Sequence, residues 1–347
     1  MFAVAKGLGA CHPMSRKRNS GAWSTADVAG TIGLTLVLLS AATQQARGVL
    51  VYGPQGRNLT APSDPGQNQA SEFEGVWQNQ YLGTAIAPNY FITATHIGGQ
   101  VGDIFNYQGL AYTTTAVYTD PNSPDLRIWR FNGNLTSYAS LDNTNDELNQ
   151  PLIAFGQGGA RGNVYSFDGT SRGWQFTGTD TVKSWGTNQV DYVGALPDGS
   201  PTQYLLFKFD PSRGPNTASL SPGDSGGGVF VLKDGAWKLA GVNFAVDGPY
   251  YTVPPNEPNR NATLITGAIY DQRGLYVGDA PDPVPDKGVP VPANSYASRL
   301  SSEFGWIYSV TGVPEPSSLA MLAGGIVSAG LMFGKTSLKG RSSRARG

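Results

Sequence analysis

Residues 221–228 read Ser-Pro-Gly-Asp-Ser-Gly-Gly-Gly and run directly into Val229-Phe230-Val231-Leu232. A serine set between an aspartate and three glycines, at the mouth of an apolar strand, is how a hydroxyl is displayed on a tight turn. Glycines reach positive φ, which lets backbone N–H groups turn toward an oxyanion developing beside Ser225. A Gly-rich turn joining two strands is the plainer reading of the same eight residues. The choice between them depends on whether the chain supplies a base and an orienting acid.

Of the two histidines, His12 lies in the amino-terminal end section and His96 in the body. His96 follows Tyr90-Phe91-Ile92-Thr93-Ala94-Thr95, where an apolar strand gives way to a loop, a position that holds a base and still exposes it. The acid comes from Asp125-Leu126-Arg127-Ile128-Trp129-Arg130-Phe131. Its apolar period is near two, so it reads as a strand whose first residue is an aspartate. Beside Pro121 and Pro124 that aspartate also suits a simple turn. Asp103 and Asp120 are rivals for the orienting role, but neither leads straight into an alternating strand.

Outward from these three places the chain reads as all-β. Only 14% of residues are charged, and 46 glycines and 24 prolines punctuate short runs rich in Thr, Tyr and Trp. Strands are expected around 72–80, 83–87, 90–94, 104–107, 111–118, 125–131, 152–158, 163–167, 181–185, 190–193, 204–209, 229–232, 237–244 and 264–270. Their spacing favours a sandwich or a pair of barrels. Residues 49–71 read as a loosely held arm, 281–292 as a Pro-rich linker, and 298–308 as the one helix of the body. The net charge of −1 conceals an asymmetry, because residues 49–316 carry 14 basic against 24 acidic side chains. An acidic middle argues against a nucleic-acid partner. The single cysteine, Cys11, leaves the body without disulfides or cysteine-based metal or redox chemistry.

With the three motifs in the order His, Asp, Ser, the body resembles the trypsin-like serine peptidases of the chymotrypsin fold. Thr93-Ala94-Thr95-His96, Asp125-Leu126-Arg127-Ile128 and Gly223-Asp224-Ser225-Gly226-Gly227 carry the resemblance, with softer matches at Gly83-Thr84-Ala85-Ile86 and Phe155-Gly156-Gln157-Gly158. It spans roughly residues 72–312 and implies two six-stranded antiparallel barrels with a C-terminal helix. It further implies that Ser225 is the nucleophile, His96 its base and Asp125 the orienting acid, and that the N–H groups of Gly223 and Ser225 form the oxyanion hole. Asp224 would shape that loop, and Ser219, six residues before the nucleophile, would sit at the base of the primary pocket. A neutral base there favours apolar or aromatic side chains over Lys or Arg. The chemistry needs no cofactor or metal, and the substrates would be proteins or peptides. Ile97 and Ser221 stand where the family often has cysteines, and its usual activation sequence is absent. A new amino terminus at Val49 could pair with Asp224. The competing readings are an inactive homologue that binds at a surface and a structural matrix protein.

The two ends read as addresses. Arg16-Lys17-Arg18 precede the apolar run 28–42, and Ala46-Arg47-Gly48 offers small residues at a cleavage-site spacing, so residues 1–48 read as a signal peptide for a signal peptidase. Met14 is a second possible start. Val313-Pro314-Glu315-Pro316, an apolar segment at 319–333 and a basic tail closely resemble the PEP-CTERM sorting signal of Gram-negative bacteria over residues 313–347. That resemblance implies export, transient retention in the inner membrane through the C-terminal helix, processing by an exosortase-type partner, and a periplasmic or cell-surface destination; the alternative is a permanent single-span anchor. Asn58, Asn134 and Asn261 begin glycosylation-like triplets read as chance turns, and residues 142–147 read as a solvated acidic turn rather than a calcium loop.

Overall fold

The computed structural model describes residues 48–122, 125–179, 181–196 and 202–312. The apolar runs at 28–42 and 319–333, and the sorting segment that contains the second, lie outside the described residues. Among the described residues, no helix is long and apolar enough to cross a membrane.

The first half runs β1 (Leu50–Val51), α1 (Pro65–Glu72), β2 (Glu74–Trp77), β3 (Tyr81–Ala87), β4 (Tyr90–Ala94), β5 (Ile104–Tyr107), β6 (Leu110–Thr119) and β7 (Leu126–Phe131). Strands β2 to β7 close into an antiparallel barrel in the order β2-β3-β4-β7-β6-β5. Alternation along these strands sends Trp77, Phe91, Phe105, Trp129 and Phe131 into one buried cluster. Within it Phe91 stacks on Phe105 at 4.0 Å, and Trp77 meets Trp129 at 4.8 Å. Closure leaves the sheet no unpaired edge.

The second half runs β8 (Pro151–Gly156), β9 (Gly159–Phe167), β10 (Thr170–Thr179), β11 (Ser184–Gln189), β12 (Tyr192–Ala195), β13 (Gln203–Lys208), β14 (Ala218–Ser219), β15 (Gly228–Lys233), β16 (Ala236–Val246), β17 (Tyr250–Tyr251), β18 (Gly267–Ile269), β19 (Tyr276–Val277) and β20 (Asn294–Arg299), followed by α2 (Phe304–Thr311). Seven of these strands form one sheet, β11-β8-β15-β16-β20-β13-β12, beside a three-stranded sheet β18-β10-β9. The all-β expectation therefore holds, with two short α-helices among the described residues. Of the two closed six-stranded barrels, one is present, and the second half is a seven-stranded sheet. Its outer strands β11 and β12 are consecutive in sequence, joined through Val190 and Asp191. Barrel and sheet share an apolar interface in which Leu82, Ile92 and Ile128 meet Ile153, Phe155, Phe230 and Val242, with Ile307 of α2 covering it. Each such buried side chain contributes about 1.5–3 kcal/mol.

Three expectations are corrected. Residues 49–71 are not a loose arm: Val49, Leu50 and Val51 are fully buried, β1 pairs with β14, and Asp64 caps α1 by accepting from Gln67 N–H at 2.8 Å. A Pro- and Asn-rich composition hides this, because the anchoring comes from distant residues. Arg161, for example, donates to the carbonyls of Gly53 and Pro54. The helix expected at 298–308 begins only at Phe304, since Ser298 and Arg299 finish strand β20. Residues 142–147 are solvated only in part: 144–146 are exposed, but Asp142 and Glu147 are fully buried and Glu147 is bridged by Arg299.

Candidate active site

Strand register brings the base and the acid together. β4 and β7 pair antiparallel with Ala94 opposite Leu126, so the residues just past the end of one strand face those just before the start of the other. Thr95 N–H donates to the Asp125 carbonyl at 2.9 Å, and His96 N–H donates to Asp125 Oδ1 at 3.1 Å. His96 Nδ1 lies 2.7 Å from the same oxygen. A carboxylate only accepts, so Nδ1 carries the proton and Nε2 presents a lone pair. That Nε2 lies 2.7 Å from Ser225 Oγ. The Asp125 side chain is 7% exposed, whereas the imidazole is 43% exposed and open to a ligand.

Ser225 arrives from the other half on a loop with several braces. Gly226 N–H donates to the Asn243 carbonyl at 3.1 Å, and Asn243 N–H donates to the Gly227 carbonyl at 2.8 Å. Asn243 also donates through Nδ2 to the carbonyls of Phe155 and Asp224. Gly226 has φ +87°, and a Cβ there would lie 2.2 Å from Thr93 Oγ1 and 2.5 Å from the Leu82 carbonyl. Glycine is thus what allows the serine loop to touch the barrel. Gly223, at φ +99°, turns the loop ahead of the serine. Among the described residues no acceptor is placed on the N–H groups of Gly223 and Ser225, which leaves them available to an oxyanion.

Asp224 is buried under this loop. Its Oδ1 accepts from Gly158 N–H at 2.7 Å, and its Oδ2 accepts from Ser221 N–H at 2.7 Å and Ser221 Oγ–H at 2.9 Å. Burial pushes the carboxyl up to about 7, against the pull of these donors and of the Arg57 charge. In the intact chain Val49 is not an amino terminus, and Asp224 is held by other donors. Both oxygens are occupied from within the body, and Gly48 N–H donates to the Gly159 carbonyl at 2.8 Å.

Next to Ser225 opens a cleft of about 180 Å³ lined by residues 220–222, Asp224, Ser225 and residues 243–246. Leu220, Pro222, Phe244, Ala245 and Val246 make its surface largely apolar. Ser219, expected at its base, is not among these residues. It is 1% exposed, lies on β14 opposite Leu50, and donates from Oγ to the Leu220 carbonyl. The pairing with β1 keeps it buried, one residue before Leu220 of the cleft.

The rival acids lie elsewhere. Asp103 accepts from Gln78 and Gln100, while Asp120 accepts from Asn122 N–H and neighbours Glu303. Sequence reasoning missed two supports of the loop. Asn243 is fully buried beside the apolar buried run Leu239-Ala240-Gly241-Val242 of β16, and a polar side chain ending that run was its only signal. Glu74 reaches across from the barrel and accepts from Thr84 Oγ–H at 2.7 Å and from Gly228 N–H at 3.2 Å. Burial pushes Glu74 up to about 7 against those hydrogen bonds and the Lys183 charge. No protein-family model and no curated protein matches this chain.

Proposed function

We propose that this chain is an exported serine endopeptidase that cleaves peptide bonds after apolar side chains. The observation that carries the reading is the hydrogen-bonded chain Ser225 Oγ, His96 Nε2, His96 Nδ1, Asp125 Oδ1, with 2.7 Å at each contact. Ser225 Oγ bonds to the substrate carbonyl carbon as its proton passes to His96 Nε2, and the imidazolium formed is stabilised by Asp125. The oxyanion takes the N–H groups of Gly223 and Ser225. His96 then gives its proton to the departing amine as the C–N bond breaks, and water repeats the sequence to release the acid. In this reading the seven-stranded sheet is the second barrel, with β11 and β12 as the two ends of one bent strand.

The cleft supplies the side-chain preference. An apolar cavity of about 150 Å³ holds a benzene ring, so a Leu or Phe side chain suits this one. Export rests on the apolar run 28–42 and the Pro-Glu-Pro segment with its basic tail. The test is covalent labelling of the folded protein by a fluorophosphonate probe at neutral pH, with Ser225→Ala as control. Labelling of the parent alone is the expected result. A folded parent that takes no label would leave the binding-protein reading in its place. His96→Ala and Asp125→Asn should each lower kcat on the order of a thousandfold or more.

A further inference from the structure

Just beyond the cleft the chain leaves the sheet for residues 248–293, an excursion with its own small core of Tyr250, Ile265, Ile269, Leu275 and Ala293. The β16–β20 ladder ends at Val246 opposite Ser295. The next residues on each side, Asp247 and Asn294, continue it as a clasp. Asp247 N–H donates to the Asn294 carbonyl at 2.9 Å, and the Asn294 N–H and Nδ2 each donate to Asp247 Oδ2 at 2.8 Å. The Tyr296 hydroxyl donates to the remaining oxygen, Oδ1.

Tyr296 lies directly opposite Ala245, a residue that lines the cleft. Tyr204 stacks on Phe244 at 5.1 Å, and Tyr204, Tyr296 and Leu196 form a buried cluster against which Phe244 and Ala245 pack. The apolar wall at 244–246 is therefore backed by two tyrosines, one of them fixed by a carboxylate. Burial and the neighbouring Asp247 charge push the Tyr296 hydroxyl well above its ordinary range, so it remains a donor. Asp247 itself is not among the residues that line the cleft; its three donors hold it behind the wall.

We propose that Asp247 is a positioning residue for side-chain selection: it closes the neck of the 248–293 excursion and pins Tyr296 behind Ala245. The wall at 244–246 then stands at a set distance from Ser225. This rests on the peptidase reading and adds the residue that governs its preference.

The test compares kcat and KM for two peptides differing only in Leu or Ala before the scissile bond, in the parent and in Tyr296→Phe, Asp247→Ala and Asp247→Asn. Tyr296→Phe removes one hydroxyl, so it stays informative if Asp247→Ala folds poorly. For Tyr296→Phe and Asp247→Ala, KM for the Leu peptide should rise about tenfold with kcat within about twofold, and the Leu/Ala preference should fall about tenfold. Asp247→Asn should recover most of the preference, since the tyrosine hydroxyl can accept from the new amide while the amide carbonyl serves Asn294. An unmoved Leu/Ala ratio in Tyr296→Phe and Asp247→Ala, or a fall in kcat at constant KM, overturns the assignment. Fluorophosphonate labelling of each protein separates the two failures. An unlabelled parent removes the peptidase reading and this one with it, whereas a labelled parent with unmoved ratios removes this one alone.

Discussion

Ser221 gives both of its donors to one oxygen of Asp224, the N–H at 2.7 Å and the hydroxyl at 2.9 Å. Two residues of the same turn are thereby locked, and Gly158 N–H closes the other side of the carboxylate. Asp224→Ala strands two buried N–H donors, each costing about 1–3 kcal/mol. The expected outcome is a clearly lower Tm and at least a hundredfold loss of labelling rate. Ser221→Ala keeps the N–H and loses only the hydroxyl, so its stability cost should be about 1 kcal/mol. Equal effects of the two substitutions would show that the carboxylate is not the organiser of the loop.

Because Gly158 and Ser221 already donate to both oxygens of Asp224 in the intact chain, the loop is held without a free amine at Val49. Protein that keeps its extension ahead of Gly48 should take a fluorophosphonate label as fast as protein starting at Val49. Mass spectrometry of the labelled chains reads the start. Labelling confined to the shortened chain would restore an activation step.

Glu74 and Asp224, both pushed up to about 7 by burial, give stability a pH dependence of definite sign. Unfolded, each titrates near 4, so between about pH 4 and 7 the folded state holds the extra protons. Their contribution is fullest at the acid end of that window, falls as pH rises to 7 and levels off above it. Carboxylates held low, such as Asp286 with its Gly288 N–H and Arg273, act below the window. Urea unfolding at pH 5 and pH 8 should show a loss on going up, smaller in Glu74→Gln by on the order of 2 kcal/mol. Equal losses would place the titrating group elsewhere.

Arg299 at the end of β20 forks onto Glu147, with Nε to Oε1 at 2.8 Å and Nη2 to Oε2 at 2.6 Å, and Ser301 Oγ–H also donates to Oε1 at 2.5 Å. Glu147 is fully buried, so Arg299→Ala leaves a carboxylate without its cation and should cost about 3–5 kcal/mol. Replacing both partners by apolar residues of similar volume should cost less, as chemical denaturation would show. If the single substitution is no worse than the double, the pair contributes little.

The proximity of His96, Asp125 and Ser225 was legible because each sits at a strand end marked by a few contiguous residues. Alternation in residues 90–94 and 126–131 sets the strands, and their pairing forces the two ends together. The burial of residues 49–51 was not legible, since Pro, Gly and Asn nearby mimic a free arm while the partners are more than a hundred residues away, at Arg161 and in β14. Strand β20 was missed for a related reason: its polar Ser295 and Ser298 are buried, which breaks the expected alternation.

By itself the sequence determined the all-β class, the display of Ser225 on its glycine turn and the strand-end positions of His96 and Asp125, because backbone preference and side-chain period are properties of neighbouring residues. Only the tertiary structure decided that Ser219 is buried against Leu50 of β1, that residues 244–246 form the wall of the cleft, and that Ser221 and Gly158 donate to Asp224. Those outcomes depend on which distant groups exclude water and supply donors, and burial and pairing of that kind exist only once the barrel and the sheet have met.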